Sequence, residues 1–312
     1  MELSIIIAAY NEEKNIAGVY NSVSSSMSRL NAEYEIIFVD DGSTDSTLKE
    51  IKKIRDEDKK VKIISFTKNF GKGSALAAGL KRASGNVIIT MDADMQDNPK
   101  EIPNMLNKLK DGYDMVVGWK YPRKDPLNKI LASKVFNFLV RMLTKLNIHD
   151  CDSNFRAMKK NVVPHLDIYA GLYRYIPVIA HQNGFKIGEI KVEHLPRIHG
   201  RSKYSFTRIY TGFFDLVTIK FLLEYNKRPL HFFGSIGSLF LIFGLITGSY
   251  LLYVKEFLSE NIGQRPMLIL TILLIFLGMQ LLSIGLIGEM IANITQKKRE
   301  GYVVREDLGF MK

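Results

Sequence analysis

Apolar residues follow two patterns along this chain. Up to about residue 120, short β-branched runs are separated by stretches whose apolar positions recur every three or four residues; beyond residue 228, apolar residues run on almost without interruption. Ile5-Ile6-Ile7, Glu35-Ile36-Ile37-Phe38-Val39, Val61-Lys62-Ile63-Ile64-Ser65-Phe66, Gly85 to Met91 and Met115-Val116-Val117-Gly118-Trp119 read as strands. Between them, a stretch opening at Asn11 to Asn15 and running to about Leu30, a segment that puts Leu48, Ile51 and Ile54 on one face, and Ala75 to Ala83 read as helices. Alternation of strand and helix at intervals of roughly thirty residues predicts an α/β fold with a mostly parallel sheet covered on both faces. The first residues lack a basic flank and turn polar at Tyr10-Asn11-Glu12, so they read as a strand and not as a signal peptide.

Past Trp119 the pattern changes. Leu127 to Lys145 predicts a helix apolar over most of its surface, with Lys134, Arg141 and Lys145 within about 40° of one another. Two readings stay open for it: a helix packed on the domain with snorkelling lysines, or an interfacial helix on anionic membrane. Gly184 to His194 reads as a further strand, and Phe206, Ile209, Tyr210, Phe213, Phe214, Val217 and Phe221 mark an apolar helical face. From Pro229 to Val254, 26 residues carry no charge, and from Pro266 to Gly288 another 23. Each run is long enough to cross a hydrocarbon layer of about 30 Å as a helix. Lys227-Arg228 precede the first span and Lys297-Lys298-Arg299 follow the second, whereas the loop between them balances its cations with Glu256 and Glu260. The positive-inside rule then places both chain ends in the cytosol. Glu289, near the inner end of the second span, either snorkels or pairs with a basic residue.

Charge sharpens this division. The net charge of +11 is distributed as +10 over residues 1–228 and +1 over 229–312. The basic excess thus belongs to the water-facing part, where nucleic acid, anionic lipid or a phosphorylated substrate could answer it. Its cations lie beside membrane-facing helices and not among exposed stacking aromatics, which disfavours nucleic acid. A single cysteine, Cys151, excludes an intramolecular disulfide.

Candidate chemistry gathers where strands end. Val87-Ile88-Ile89-Thr90-Met91 runs into Asp92-Ala93-Asp94-Met95-Gln96-Asp97, and ligands of α/β sheets collect at the carboxyl ends of strands. Asp92 and Asp94 point the same way if the strand persists, and together suit a divalent metal. The plainer reading is a strand-to-helix turn with Asp97 or Asn98 as cap before Pro99. Asp40-Asp41-Gly42-Ser43 ends the second strand and would converge on the same edge, giving an acidic pocket suited to a metal on a nucleotide diphosphate. Asn69-Phe70-Gly71-Lys72-Gly73-Ser74 is not a Walker A loop, because Gly73 follows Lys72; it reads as a helix start that could attract a phosphate. Asp150-Cys151-Asp152-Ser153-Asn154-Phe155-Arg156 is a polar knot that reads first as structural ion pairs. Arg197 to Tyr204 holds three cations, two hydroxyls and a glycine, a composition able to grip phosphate.

In their order and spacing, Tyr10-Asn11-Glu12, Asp40-Asp41-Gly42-Ser43, Asn69-Phe70-Gly71-Lys72, Asp92 to Asp97 and Gly200-Arg201-Ser202-Lys203-Tyr204 resemble the family-2 glycosyltransferases of GT-A fold. Over its whole length the chain is most similar to polyprenyl-phosphate glycosyltransferases, the dolichyl-phosphate mannose synthases and undecaprenyl-phosphate glucosyltransferases. The resemblance implies a GT-A domain at 1–205 containing the helix at about 127–145, a juxtamembrane helix at 206–228, a two-helix transmembrane hairpin at 229–295 and a cytosolic tail at 296–312. It implies that Ala8, Tyr10, Glu12, Asp40, Asp41, Lys72 and Asp92 hold the nucleotide, and that Asp92, Asp94 and Gln96 carry Mg2+ or Mn2+. It implies catalytic roles for Asp94 and Asp152, and an acceptor-phosphate site at Arg123, Arg201, Ser202 and Lys203. Ala8 departs from the family's usual proline, and Asp152-Ser153-Asn154 departs from the usual residues before Phe-Arg.

The resemblance further implies a nucleotide-sugar donor, a polyprenyl phosphate acceptor, residence in a cell or ER-type membrane with the catalytic domain in the cytosol, and spans able to form homo-oligomers. The chemistry is consistent with an inverting displacement. A polyprenyl monophosphate, with a second pKa near 6, is largely dianionic at pH 7 and needs positioning more than deprotonation. The main rival is a processive membrane polysaccharide synthase, but the only tryptophan is Trp119, which excludes the Gln-x-x-Arg-Trp element of those enzymes. A non-catalytic sugar-nucleotide binder is the second rival, disfavoured by the intact acidic and basic elements.

Overall fold

The computed structural model describes residues 2–122, 127–144, 146–166, 170–196, 221, 229–259 and 261–296. Two compact units are present, residues 1–219 and 220–312.

In the first unit, a seven-stranded sheet runs β3-β2-β1-β4-β6-β5-β7. The strands are β1 (Leu3–Ala9), β2 (Tyr34–Asp40), β3 (Val61–Ser65), β4 (Val87–Asp92), β5 (Met115–Lys120), β6 (Arg156–Lys159) and β7 (Ile187–Val192). The expected mostly parallel sheet is present, with one reversal: β6 lies antiparallel between β4 and β5. Helices α1 (Ile16–Leu30), α2 (Thr47–Glu57), α3 (Lys72–Arg82), α4 (Ile102–Lys110), α5 (Leu127–Thr144) and α6 (Ile176–Gln182) complete the unit. Strands β1, β2 and β4 are almost wholly buried because helices cover both faces, which explains their unbroken Ile and Val runs. Helix α3 starts three residues before the expected Ala75. Gly71 supplies its N-cap at φ +90°, a backbone that other residues rarely adopt. Helix α5 answers part of each open reading: Asn137, Val140 and Thr144 are buried, while Phe138 and Met142 lie exposed one turn apart.

A buried carboxylate ties the lower sheet together. Glu35 on β2 accepts hydrogen bonds from Ser4 Oγ at 2.6 Å, Ser84 N at 2.8 Å and Ser84 Oγ at 2.7 Å, and pairs with the Lys62 ammonium. Burial alone would raise its pKa, but Lys62 and the serine donors bring it from 4.5 to about 2. The folded-state pKa is therefore depressed, so its stabilisation is present above pH 4.5 and is lost as pH falls toward 2. The loss is of order 2–3 kcal/mol. Unfolding midpoints measured from pH 7 to 2 should show an acid limb that Glu35→Gln flattens; superimposable limbs would refute the coupling.

The second unit contains α7 (Pro229–Phe257) and α8 (Pro266–Gln296), both long and apolar enough to cross a membrane. Glycines let the helices approach closely. A Cβ on Gly237 would lie 2.8 Å from the Gly278 carbonyl oxygen, and one on Gly244 would lie 2.7 Å from Ile275 Cγ1. Nearer the loop that joins the two helices, Thr271 Oγ1 donates to Thr247 Oγ1 at 2.9 Å. Glu289 Oε2 accepts the Leu230 N–H at 3.3 Å, satisfying a first-turn donor of α7. Its described bond is thus to main chain, not to a basic side chain. Phe243, Ile246, Tyr250, Phe276 and Met279 point outward.

Candidate active site

The site is set by where strands end. β1 pairs with β2 on one side and β4 on the other, so the chain order reverses there, the place at which α/β sheets receive ligands above the strands' carboxyl ends. In register, Ala9 faces Asp40 and Ala8 faces Asp92. Asp40, buried, accepts Ser43 N at 3.1 Å and Ser65 Oγ at 2.9 Å. Asp41 accepts Phe70 N at 2.8 Å and Gly71 N at 3.0 Å, fixing the start of α3. Burial, helped by Asp40, raises the Asp41 pKa above the ordinary carboxylate value even though two N–H donors pull the other way. Gly42 between β2 and α2 has no room for a side chain: φ is +67°, and a Cβ would run into the Lys68 carbonyl carbon.

The loop after β1 interlocks with the one after β2. Asn11 N donates to Ser43 Oγ at 3.0 Å, Thr44 N to Asn11 Oδ1 at 2.8 Å and Glu12 N to Thr47 Oγ1 at 2.8 Å. Glu12 Oε2 accepts Asn15 Nδ2 at 2.6 Å. Tyr10 and Ala8 are half-buried beside this junction.

Asp92 lies at the switch point. Its Oδ1 receives Lys72 Nζ at 2.6 Å and Asn154 Nδ2 at 3.0 Å. Its own N–H donates to Asp97 Oδ2 at 2.9 Å, and Asp97 Oδ1 pairs with Lys120 Nζ at 2.9 Å. The Asp97–Lys120 pair therefore closes the loop that carries Asp94. Within it, Gln96 N donates to Asp94 Oδ1 at 3.2 Å, and Met95 takes φ +61° with its sulfur so close to Gly18 that a Cβ there would lie 2.6 Å away. The cap reading also holds, through Asn98 and not Asp97: Asn98 Oδ1 accepts Lys100 N at 3.1 Å at the start of a short 3-10 helix. Burial works against the charge of Asp92, but the Lys72 and Lys120 ammoniums hold its carboxyl below the usual range. Burial likewise opposes the charge of Lys72 and Lys120, yet Asp92 for the first and Asp97 for the second raise both pKa values.

The antiparallel β6 brings a further group to this edge. Its first residue, Arg156, is fully buried and donates to the carbonyls of Tyr173 at 2.9 Å and Cys151 at 3.1 Å. It thereby ties the 150–154 loop to the 3-10 stretch Ala170–Tyr175. Asp152 Oδ1 lies 3.5 Å from Arg174 Nε, and the Tyr173 ring sits 5.5 Å from Lys72 Nζ. The knot is thus partly structural, as read, while Asn154 reaches Asp92 and the charge of Asp152 acts on Lys72. Cys151 is buried with its thiol pKa pushed far up by burial, which removes it as a nucleophile.

Among the described residues, no group of three or more His, Cys, Asp or Glu converges as a complete cation cage. The oxygen donors of Asp92, Asp94 and Gln96 still fit Mg2+ or Mn2+, because a hard cation of this kind commonly binds through one or two carboxylates and completes its shell with phosphate and water. Lys120, Tyr173 and Arg174 were not anticipated; a lysine ending a buried strand at the carboxyl edge was the one available signal. Arg123, Arg201, Ser202 and Lys203 lie outside the described residues.

The family model described as glycosyl transferase family 2 matches residues 4–166. The chain belongs to glycosyl transferase family 2. This family-2 enzyme is 33% identical to the dodecaprenyl-phosphate galacturonate synthase of Rhizobium johnstonii, over 98% of this chain and 93% of that protein. It is 30% identical to the undecaprenyl-phosphate 4-deoxy-4-formamido-L-arabinose transferase of Proteus mirabilis, over 100% of this chain and 95% of that protein. Among solved structures, the glucosyl-3-phosphoglycerate synthase of Mycobacterium tuberculosis in complex with Mn2+ and UDP-glucose is 20% identical and superposes with a TM-score of 0.55, over 70% of this chain and 78% of that one. This likeness bears out the GT-A fold of the glycosyltransferase.

Proposed function

We propose that this glycosyltransferase moves a sugar from a nucleoside-diphosphate sugar to a polyprenyl phosphate at a membrane surface, with inversion. The observation that carries this reading is the end-to-end alignment with relatives named for polyprenyl-phosphate sugar transfer, which spans both the crevice unit and the apolar hairpin.

Asp41 acts on the donor site through the loop it splints, and Tyr10 and Glu12 hold the nucleoside beside Ala8 and Asp40. Asp92, Asp94 and Gln96 would hold Mg2+ or Mn2+, consistent with the Mn2+ of the mycobacterial relative. When bound, the cation supplies positive charge for the departing nucleoside diphosphate. Asp152 orients the sugar or acceptor, and Arg123, Arg201, Ser202 and Lys203 hold the acceptor phosphate. One phosphate oxygen attacks the anomeric carbon as the bond to the diphosphate breaks, so no covalent enzyme intermediate is required. The exposed Phe138 and Met142 fit an α5 that lies on lipid.

The test is incubation of the detergent-solubilised full chain with a panel of UDP- and GDP-sugars and undecaprenyl phosphate. A single sugar on the lipid phosphate is expected; a polymer, or donor binding without turnover, would overturn the proposal. Orientation is a separate expectation, drawn from the Lys and Arg residues that flank the spans. In cells carrying Cys151→Ala, Glu260→Cys should react with an impermeant thiol reagent and Phe310→Cys should not. The reverse labelling would exclude cytosolic ends.

A further inference from the structure

We infer that Lys72 is the resident counter-charge of Asp92 and makes divalent-cation binding conditional on the donor's diphosphate. The inference rests on the assignment of Asp92 and Asp94 to the cation under the proposed function.

Lys72 Nζ stands 2.6 Å from Asp92 Oδ1, and Asn154 Nδ2 takes the same oxygen at 3.0 Å. A positive charge therefore already occupies the carboxylate nearest the switch point. A divalent cation entering alone would meet an ammonium within a few ångströms and could gain Asp92 only by displacing it. The lysine's main chain is held, because it is the first residue of α3 and the Asp41 carboxylate pins the start of that helix through Phe70 N and Gly71 N, so only its side chain can swing. It does have other company close by: the Tyr173 ring lies 5.5 Å from Nζ, and the Asp152 charge also acts on it. A diphosphate changes the balance. Its negative charge attracts both the ammonium and the cation, so Lys72 can turn to phosphate and release Asp92. Lys72 is in this sense a positioning residue that couples two ligands, and the coupling must be reciprocal.

Mn2+ binding to the purified full chain, read by electron paramagnetic resonance with and without UDP or GDP, tests this directly. The wild type should bind Mn2+ weakly alone and more tightly with one nucleotide. Lys72→Met and Lys72→Gln should bind Mn2+ alone about ten- to thirtyfold more tightly, the size expected for removing one positive charge about 4 Å from a divalent ion in water. Lys72→Arg should restore weak nucleotide-free binding. Thermal unfolding verifies that each variant is folded, and the two neutral variants serve as independent readings. Unchanged nucleotide-free affinity in both neutral variants, with nucleotide-dependent Mn2+ binding intact in the wild type, would overturn the inference while sparing the metal assignment. Absence of Mn2+ binding in every protein with either nucleotide would overturn both.

Discussion

Replacing Asp94 by asparagine should lower turnover by about two orders of magnitude or more while leaving the unfolding midpoint unchanged. The change removes a charge and keeps the shape. Asp94 is half-exposed, and its Oδ1 accepts the Gln96 N–H at 3.2 Å, a bond that the asparagine carbonyl can retain. Loop geometry has other supports, the Asp97–Lys120 pair and the bond from Asp92 N to Asp97, so the variant should fold normally. Activity in the wild type should also vanish in EDTA and return with Mg2+ or Mn2+. Transfer assays beside thermal unfolding check both points. Full activity in chelator, or a loss below tenfold in Asp94→Asn, would remove the metal from the reaction.

A loss of about ten- to a few hundredfold in catalytic efficiency toward polyprenyl phosphate is expected for Arg201→Ala and for Lys203→Ala, since a charge-assisted contact is worth roughly 1.5–3 kcal/mol. Nucleotide-sugar affinity should change little, because the residues proposed for the donor lie at the carboxyl ends of β1, β2 and β4, in the loops that follow them and at the start of α3. Calorimetry of donor binding without acceptor, set beside acceptor kinetics, separates the two sites. Equal damage to both measurements would remove these residues from the acceptor site, and a polymeric product would remove the lipid acceptor itself.

Much of this architecture was legible because burial on both faces leaves a mark in the chain: Ile5 to Ile7, Ile36 to Val39 and Val87 to Met91 could hardly be anything but inner strands. β6 left no such mark. It has four residues, opens on Arg156 and closes on Lys159, and its reversal interrupts the strand and helix alternation that guided the rest. Asp92 and Lys72 could be named as candidates, but their 2.6 Å contact depends on where α3 begins, which the Asp41 carboxylate decides by seizing Phe70 N and Gly71 N from another loop. The partnership of Lys120 with Asp97 was equally hidden, since it joins the end of β5 to the loop after β4, two strands that are not sheet neighbours.

The reversal of β6 also decides which residues arrive beside Asp92. The chain leaves the sheet at the carboxyl end of β5 and, after α5, re-enters at Arg156, which is in register with Thr90 of β4 and Val117 of β5. Exit and re-entry therefore share one edge, and the antiparallel pairing of β6 places the residues just ahead of it at the carboxyl ends of β4 and β5. Asn154, two residues ahead of the re-entry, reaches Asp92 Oδ1 at 3.0 Å for this reason; a parallel β6 would have delivered the residues after Lys159 to that edge instead.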